Sequence, residues 1–396
     1  MTMPAPEPWQ PAPAGPQDVV LDLLSELRVD PIIHAGGTKS AMGGAAVDPA
    51  VADVVRGALD VFVPIDELLG AIGDAAARSL GVGGAAIVAG AASGCVLAAA
   101  AVAREAGGTS AERRTVLTQR RHFGRYTYLY EQAGCRIREV GTMNDCPISD
   151  YRAAIDNDVV AIVWLEGPGI SSAGASLAEV CTLAAECGLP VVVDAAAMAF
   201  PLTNIHDYLN AGADLVVVSG GKLLGGPQAS GFVLGRADLV RVIREIGFPH
   251  QGVGRAHKIP KEVALGAYAA LRAFVATDPT ARSTAIRRRA DAVAELIAGE
   301  GFAAEVVQDG RHALPAVVVS GVLATTGSAP SLVSAKLLAG RPRMFVPFDD
   351  PRDELYVEFA SLRQDQDKLV ARSITCQLES MSVQRSAGDV SLTTSR

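Results

Sequence analysis

Positive charge is the first thing this chain is short of: 35 lysines and arginines stand against 43 aspartates and glutamates, a formal net charge of −8. Such a balance lacks the broad basic face that nucleic acid requires, so nucleic acid is disfavoured as a partner. Cysteine is scarce too. The six cysteines, at 95, 135, 146, 181, 187 and 376, form no C-x-x-C pair and no metal-like spacing with histidine. They read as reduced thiols of a cytoplasmic protein with no metal site. Long apolar runs are missing as well. Residues 85–103 come closest, but Gly90, Ser93 and Gly94 interrupt them, which reads as strand, turn and buried helix rather than a membrane span. Residues 1–6 carry no basic group and prolines recur through Pro16, so no signal peptide is expected there.

What is present is apolar and rich in small residues. Of the 396 residues 49% are hydrophobic and 40 are glycine, enough for one large domain and a smaller one. Residues 1–30 read as a partly disordered N-terminal arm with a short amphipathic helix near its end. Residues 31–275 read as the large domain, 276–380 as a small C-terminal α+β domain and 381–396 as a polar tail. Apolar runs at 86–89, 115–118, 159–165, 189–193, 215–218 and 232–234 alternate with amphipathic stretches. That is the pattern of an α/β fold with a large, doubly wound, mainly parallel sheet, whose ligand chemistry belongs at the carboxyl ends of the strands.

Two strand ends carry that chemistry. The run Val191-Val192-Val193 closes on Asp194, and Leu215 to Val218 leads through Ser219-Gly220-Gly221 to Lys222, 28 residues later. A lysine amine can form a Schiff base with the aldehyde of pyridoxal phosphate (PLP). A carboxylate at the pyridine nitrogen keeps that nitrogen protonated, so the ring can accept electrons. The intervening residues hold a helix-length segment, and strand, helix, strand is a crossover unit that sets parallel strands side by side.

Other segments fit the same cofactor. Ala92-Ser93-Gly94-Cys95 open a helix after an apolar strand, where free N–H groups and the helix dipole suit a phosphate. Ser219 can add a hydroxyl to that phosphate. His122 follows residues 115–118 and falls on the same edge, where its ring can stack on the cofactor. The loop with Arg255 and Lys258, and Arg343 further on, offer cations to a substrate carboxylate, arginine being suited by its bidentate fork. The glycines of the loop Ala35-Gly36-Gly37-Thr38 permit close backbone approach to a ligand or a neighbouring subunit, which puts Thr38 among the substrate-binding candidates. A phosphate loop of the nucleotide-binding kind is excluded, because Leu223 rather than Ser or Thr follows Gly221-Lys222 and Val216 stands where its first glycine would be. A dinucleotide fingerprint fails as well, with Ala86 where Gly81-Val82-Gly83 would need a glycine.

The segment Ser219 to Ala229 resembles the lysine motif of the bacterial selenocysteine synthase family, the L-seryl-tRNA(Sec) selenium transferases, which are fold type I PLP enzymes. Glu139-Val140-Gly141-Thr142 and Asp150 to Ile155 resemble the same family. Gly254-Arg255 with Lys258 and Lys261-Glu262, and the early Ala35-Gly36-Gly37-Thr38, are closer to its smaller relatives, typified by D-glucosaminate-6-phosphate ammonia lyase. The resemblance covers residues 30–375. It implies PLP on Lys222, Asp194 at the ring nitrogen, and a homodimer or higher homo-oligomer with the active site at the subunit boundary. In one respect the chain departs from the selenium transferases: about 30 residues precede the matching segment, and with the acidic balance this speaks against tRNA as substrate. The activity implied is a PLP-dependent lyase acting at Cα or Cβ of a small amino acid or amino-sugar acid, by β-elimination with deamination or by aldol-type cleavage. Transferase, racemase and aminotransferase chemistry use the same residues, and a non-catalytic protein retaining the fold is the alternative outside enzymes.

Overall fold

The computed structural model describes residues 16–393 apart from 108–113, 123, 125, 168–169, 171–173 and 310–311, with side chains described as far as 383. The arm's first fifteen residues lie outside that range; the remainder begins with the helix Pro16–Glu26.

Thirteen strands are described: β1 Ile33–His34, β2 Gly84–Val88, β3 Thr115–Gln119, β4 Arg136–Val140, β5 Val159–Leu165, β6 Val191–Asp194, β7 Leu215–Ser219, β8 Gly231–Gly235, β9 Ala304–Val307, β10 Ala316–Ser320, β11 Met344–Phe345, β12 Phe348–Asp349 and β13 Glu354–Glu358. Seven of them form the large sheet in the order β2-β8-β7-β6-β5-β3-β4. Only β8 runs against its neighbours; the other pairings are parallel. The α/β, mainly parallel expectation is met. β4 went unread because, as an edge strand with only Val140 fully buried, Arg136-Ile137-Arg138-Glu139-Val140 lacks the continuous apolar run of a strand covered on both faces.

Alternation along the strands divides the core. Val191 and Val193 point to the face covered by the helices Ile65–Leu80, Leu177–Glu186 and Lys261–Ala276. Val192 points to the other face, with the helices Ala91–Glu105 and Ala237–Ile246. Gly94 lets the first of these lie close, since a Cβ there would come within 2.7 Å of Val217 Cγ1.

The helix Pro279–Gly299 leads into the small domain, whose four-stranded antiparallel sheet has the order β12-β13-β10-β9. The N-terminal segment also belongs to that side. β1 pairs in parallel with β11, and Ile33 and Ala35 are buried with Val317, Val357 and Ile374. A two-residue strand leaves no periodicity to read, so the sequence had placed residues 31 onward with the large sheet. The helix Asp367–Thr393 also continues past residue 380, where polar composition reads as a tail.

Candidate active site

Because β6 and β7 are parallel neighbours, with Asp194 opposite Val217, both end on the same edge of the sheet. β2, β3 and β5 end there too, so the segments that follow five strands converge on one place.

Asp194 is 4% exposed. Its Oδ1 accepts a hydrogen bond from the Ala196 N–H at 3.1 Å. Burial raises its pKa above the usual aspartate range, opposed by that N–H group and by the Lys222 charge. Lys222 is half-buried, and burial lowers its pKa, with Asp194 and Cys95 acting in the other direction. Amine and carboxylate are therefore close enough for each to shift the other's titration. The Cys95 thiol, fully buried, is pushed well up by burial and then by Asp194.

The lysine is held by its glycines. The Gly220 N–H donates to Ser230 O at 2.8 Å, the Gly225 N–H to Lys222 O at 2.9 Å and the Gly226 N–H to Gly220 O at 2.8 Å. A Cβ on Gly221 would collide with the backbone of Gln228. From the N-terminal loop the Ala45 N–H reaches Gly221 O at 3.2 Å, and Gln228 Nε2 donates to Ser40 O at 2.7 Å. Arg282, which the sequence reading missed, donates from Nη1 to Leu223 O at 2.9 Å and lies over the Phe200 ring. It fastens the lysine turn to the first helix of the small domain; a single arginine in a polar helix gives no sequence signal for that.

The helix Ala91–Glu105 starts at Gly90, whose φ of 97° favours glycine, and no side chain caps it. Ala92, Ser93, Gly94 and Cys95 form its first turn. Ser93 Oγ donates to Ala89 O at 3.1 Å and lies 2.9 Å from His257 Nδ1. The loop around Arg255 is thus docked on this helix; His257, also missed, carries the link, while Lys258 is exposed and the Arg255 guanidinium lies over Phe248. Ser219, 8% exposed, ends β7. His122 is buried after β3, edge-on to Trp164 with ring centroids 5.2 Å apart, and its Nδ1 faces the Leu165 N–H at 3.4 Å. Trp164 Nε1 in turn donates to Glu166 Oε1 at 2.7 Å, and burial raises the Glu166 pKa. Glu166 follows β5 on the same edge, a third residue that the sequence reading passed over because no local pattern marks it.

Thr38 is brought to the site and Arg343 is not. Thr38 lines a cleft with Gly37, Ala197 after Asp194, Leu223 after Lys222, and Glu358 and Phe359 of the small domain. Arg343 instead donates to Leu338 O at 3.1 Å and to Asp30 O at 3.2 Å, joining the N-terminal segment to the small domain.

These residues fit PLP: an uncapped helix start for its phosphate, a buried carboxylate for its ring nitrogen and an amine of lowered pKa for its aldehyde. Among the described residues no cluster of three or more His, Cys, Asp or Glu could hold a metal, and no helix is long and apolar enough to cross a membrane.

The site and fold together define a fold type I PLP-dependent enzyme. Residues 76–297 match the family SelA: L-seryl-tRNA selenium transferase, and the chain belongs to that family. It is 28% identical to the 5'-C-glycyluridine monooxygenase-decarboxylase of Streptomyces sp over 88% of this chain and 90% of that protein. It is also 28% identical to the D-glucosaminate-6-phosphate ammonia lyase of Salmonella typhimurium, over 73% of this chain and 79% of the relative. A solved structure of D-glucosaminate-6-phosphate ammonia-lyase superposes with a TM-score of 0.76 at 24% identity, covering 91% of this chain and 99% of that one.

Proposed function

We propose that this chain is a PLP-dependent lyase acting at Cα and Cβ of a small amino acid or amino-sugar acid, with Lys222 as the cofactor's anchor and then the proton carrier. The observation that carries the reading is the pairing of Lys222, its pKa lowered by burial, with the buried carboxylate of Asp194 at adjacent strand ends. When bound, PLP supplies an electron sink for the pair left at Cα as a bond there breaks. Asp194 keeps the ring nitrogen charged, which its buried, strand-fixed position suits. Lys222, once free, is a neutral amine able to take the proton from Cα and return it to a leaving group at Cβ. The first turn at Ala92 to Cys95 and Ser219 hold the phosphate, His122 lies against the ring, and Thr38 and Arg255 with Lys258 address the substrate. Arg343 reaches a substrate only by leaving its two carbonyl partners. A homodimer or larger assembly in the cytoplasm, with the site at the subunit boundary, completes the proposal.

A second reading concerns which Cα bond breaks. The relative covered over the larger share of both chains is a monooxygenase-decarboxylase, which favours loss of the α-carboxylate with oxygen consumption. Incubating PLP-loaded protein with D- and L-amino acids and amino-sugar acids separates the two. Ammonia and a keto acid without oxygen uptake support the lyase, carbon dioxide with oxygen uptake supports the second reading, and neither product from any compound overturns both.

A further inference from the structure

The cleft beside Lys222 contains one residue that neither cofactor nor proton chemistry uses. Among the described residues lining it, Glu358 alone carries a charge; Gly37, Thr38, Ala197, Leu223 and Phe359 are neutral. Its direction is set by the sheet: Leu355 and Val357 of β13 point into the small-domain core, so Glu354, Tyr356 and Glu358 share the opposite face. His312 fixes the carboxylate. Its Nδ1 lies 3.0 Å from Glu358 Oε1, and its ring, packed against Tyr356 with centroids 5.3 Å apart, is 7% exposed. The second oxygen, Oε2, lies over Gly37, where any Cβ would collide with it and φ is 69°. The Glu358 N–H is also tied to Ala35 O at 2.9 Å. One oxygen is thus held by histidine, the other is seated against a bare backbone, and the side chain keeps 31% of its surface open.

We propose that Glu358 is a specificity-determining residue which accepts hydrogen bonds from hydroxyl groups on the substrate's distal chain. This selects a polyhydroxylated, uncharged tail and disfavours one ending in phosphate or carboxylate. With no second charge among the described lining residues, this carboxylate attracts hydroxyl donors strongly, because a bond to a charged acceptor exceeds one between neutral groups, and it repels an anion. The inference deepens the proposed function and rests on it.

The test is a spectral titration of the PLP-loaded protein with D-glucosaminate, D-glucosaminate 6-phosphate and D-2-aminohexanoate, which share a six-carbon skeleton. Wild type is expected to bind D-glucosaminate tightest. Glu358→Leu should lose about 10- to 100-fold for it, the effect of one hydrogen bond to a charged acceptor, with little change for D-2-aminohexanoate. Glu358→Gln, which keeps an acceptor oxygen, should recover part of that loss, and thermal unfolding of each variant controls for folding. Equal preference in wild type and both folded variants would overturn the inference while leaving the lyase reading intact. Tightest wild-type binding of the phosphorylated or hydroxyl-free compound would overturn it too. No spectral change with any amino acid or amino-sugar acid in wild type would defeat the proposed function, and this inference with it.

Discussion

Asp194 and Cys95 show how burial assigns roles among residues a few ångströms apart. Asp194 has a charged partner in Lys222 and a backbone donor in Ala196, whereas the Cys95 thiol is driven toward its neutral form by desolvation and by the carboxylate. Asp194→Asn should therefore retain the fold and bound PLP yet lower turnover by about 100-fold or more, the scale of a lost catalytic proton relationship, as steady-state assays of the variant will read. Cys95 should resist iodoacetamide in the native protein while the exposed Cys187 and Cys376 react, a pattern that peptide mass mapping distinguishes directly. Burial also lowers the Lys222 pKa, so the neutral amine appears as pH rises toward the ordinary lysine value. PLP uptake by apoprotein should accordingly speed up with pH and level off below that value. Lys222 and Asp194 were legible because apolar runs ended on them. Glu166, His257 and Arg282 were not, since each acts through a fold contact that no local pattern announces.

The elements were legible in proportion to their burial. β5 matches its apolar run at 159–165 residue for residue, because a strand covered on both faces leaves little latitude. Edge strand β4 and the two-residue β1 escaped because exposure and brevity remove the period. The lysine turn needs glycine for two reasons: Gly225 has a left-handed φ of 80°, whereas at Gly221 the obstacle is the Gln228 main chain. Gly221→Ala should push that turn apart at an overpacking cost of about 1–3 kcal/mol. Calorimetry should show the loss of stability, and PLP content should fall with it; unchanged content would mean that the turn tolerates the methyl group.

At the scale of the whole molecule, the cleft is shared. The large sheet contributes Ala197 and Leu223, the small domain Glu358 and Phe359, and the N-terminal loop Gly37 and Thr38. The sequence conveyed the two-part division but not that the chain begins by pairing with the small domain, because the β1–β11 contact joins residues more than 300 positions apart. The segment between the helices Pro49–Ala58 and Ile65–Leu80 leaves Leu59, Val61 and Phe62 at 54%, 50% and 88% exposure, more apolar surface than a lone subunit usually presents at one turn. Sedimentation should therefore find a dimer or larger, and a monomer at micromolar concentration would contradict the proposed shared site.

The most direct test of the central claim, that Lys222 anchors PLP, is the near-ultraviolet and visible absorption spectrum of purified protein and of Lys222→Ala, each after incubation with PLP and removal of the excess. A yellow wild type whose visible band is discharged by borohydride, fixing the cofactor's mass on the peptide containing Lys222, is the expected result, with no such band or adduct in the variant. A colourless wild type, or a variant that keeps the wild-type band and adduct, would contradict it.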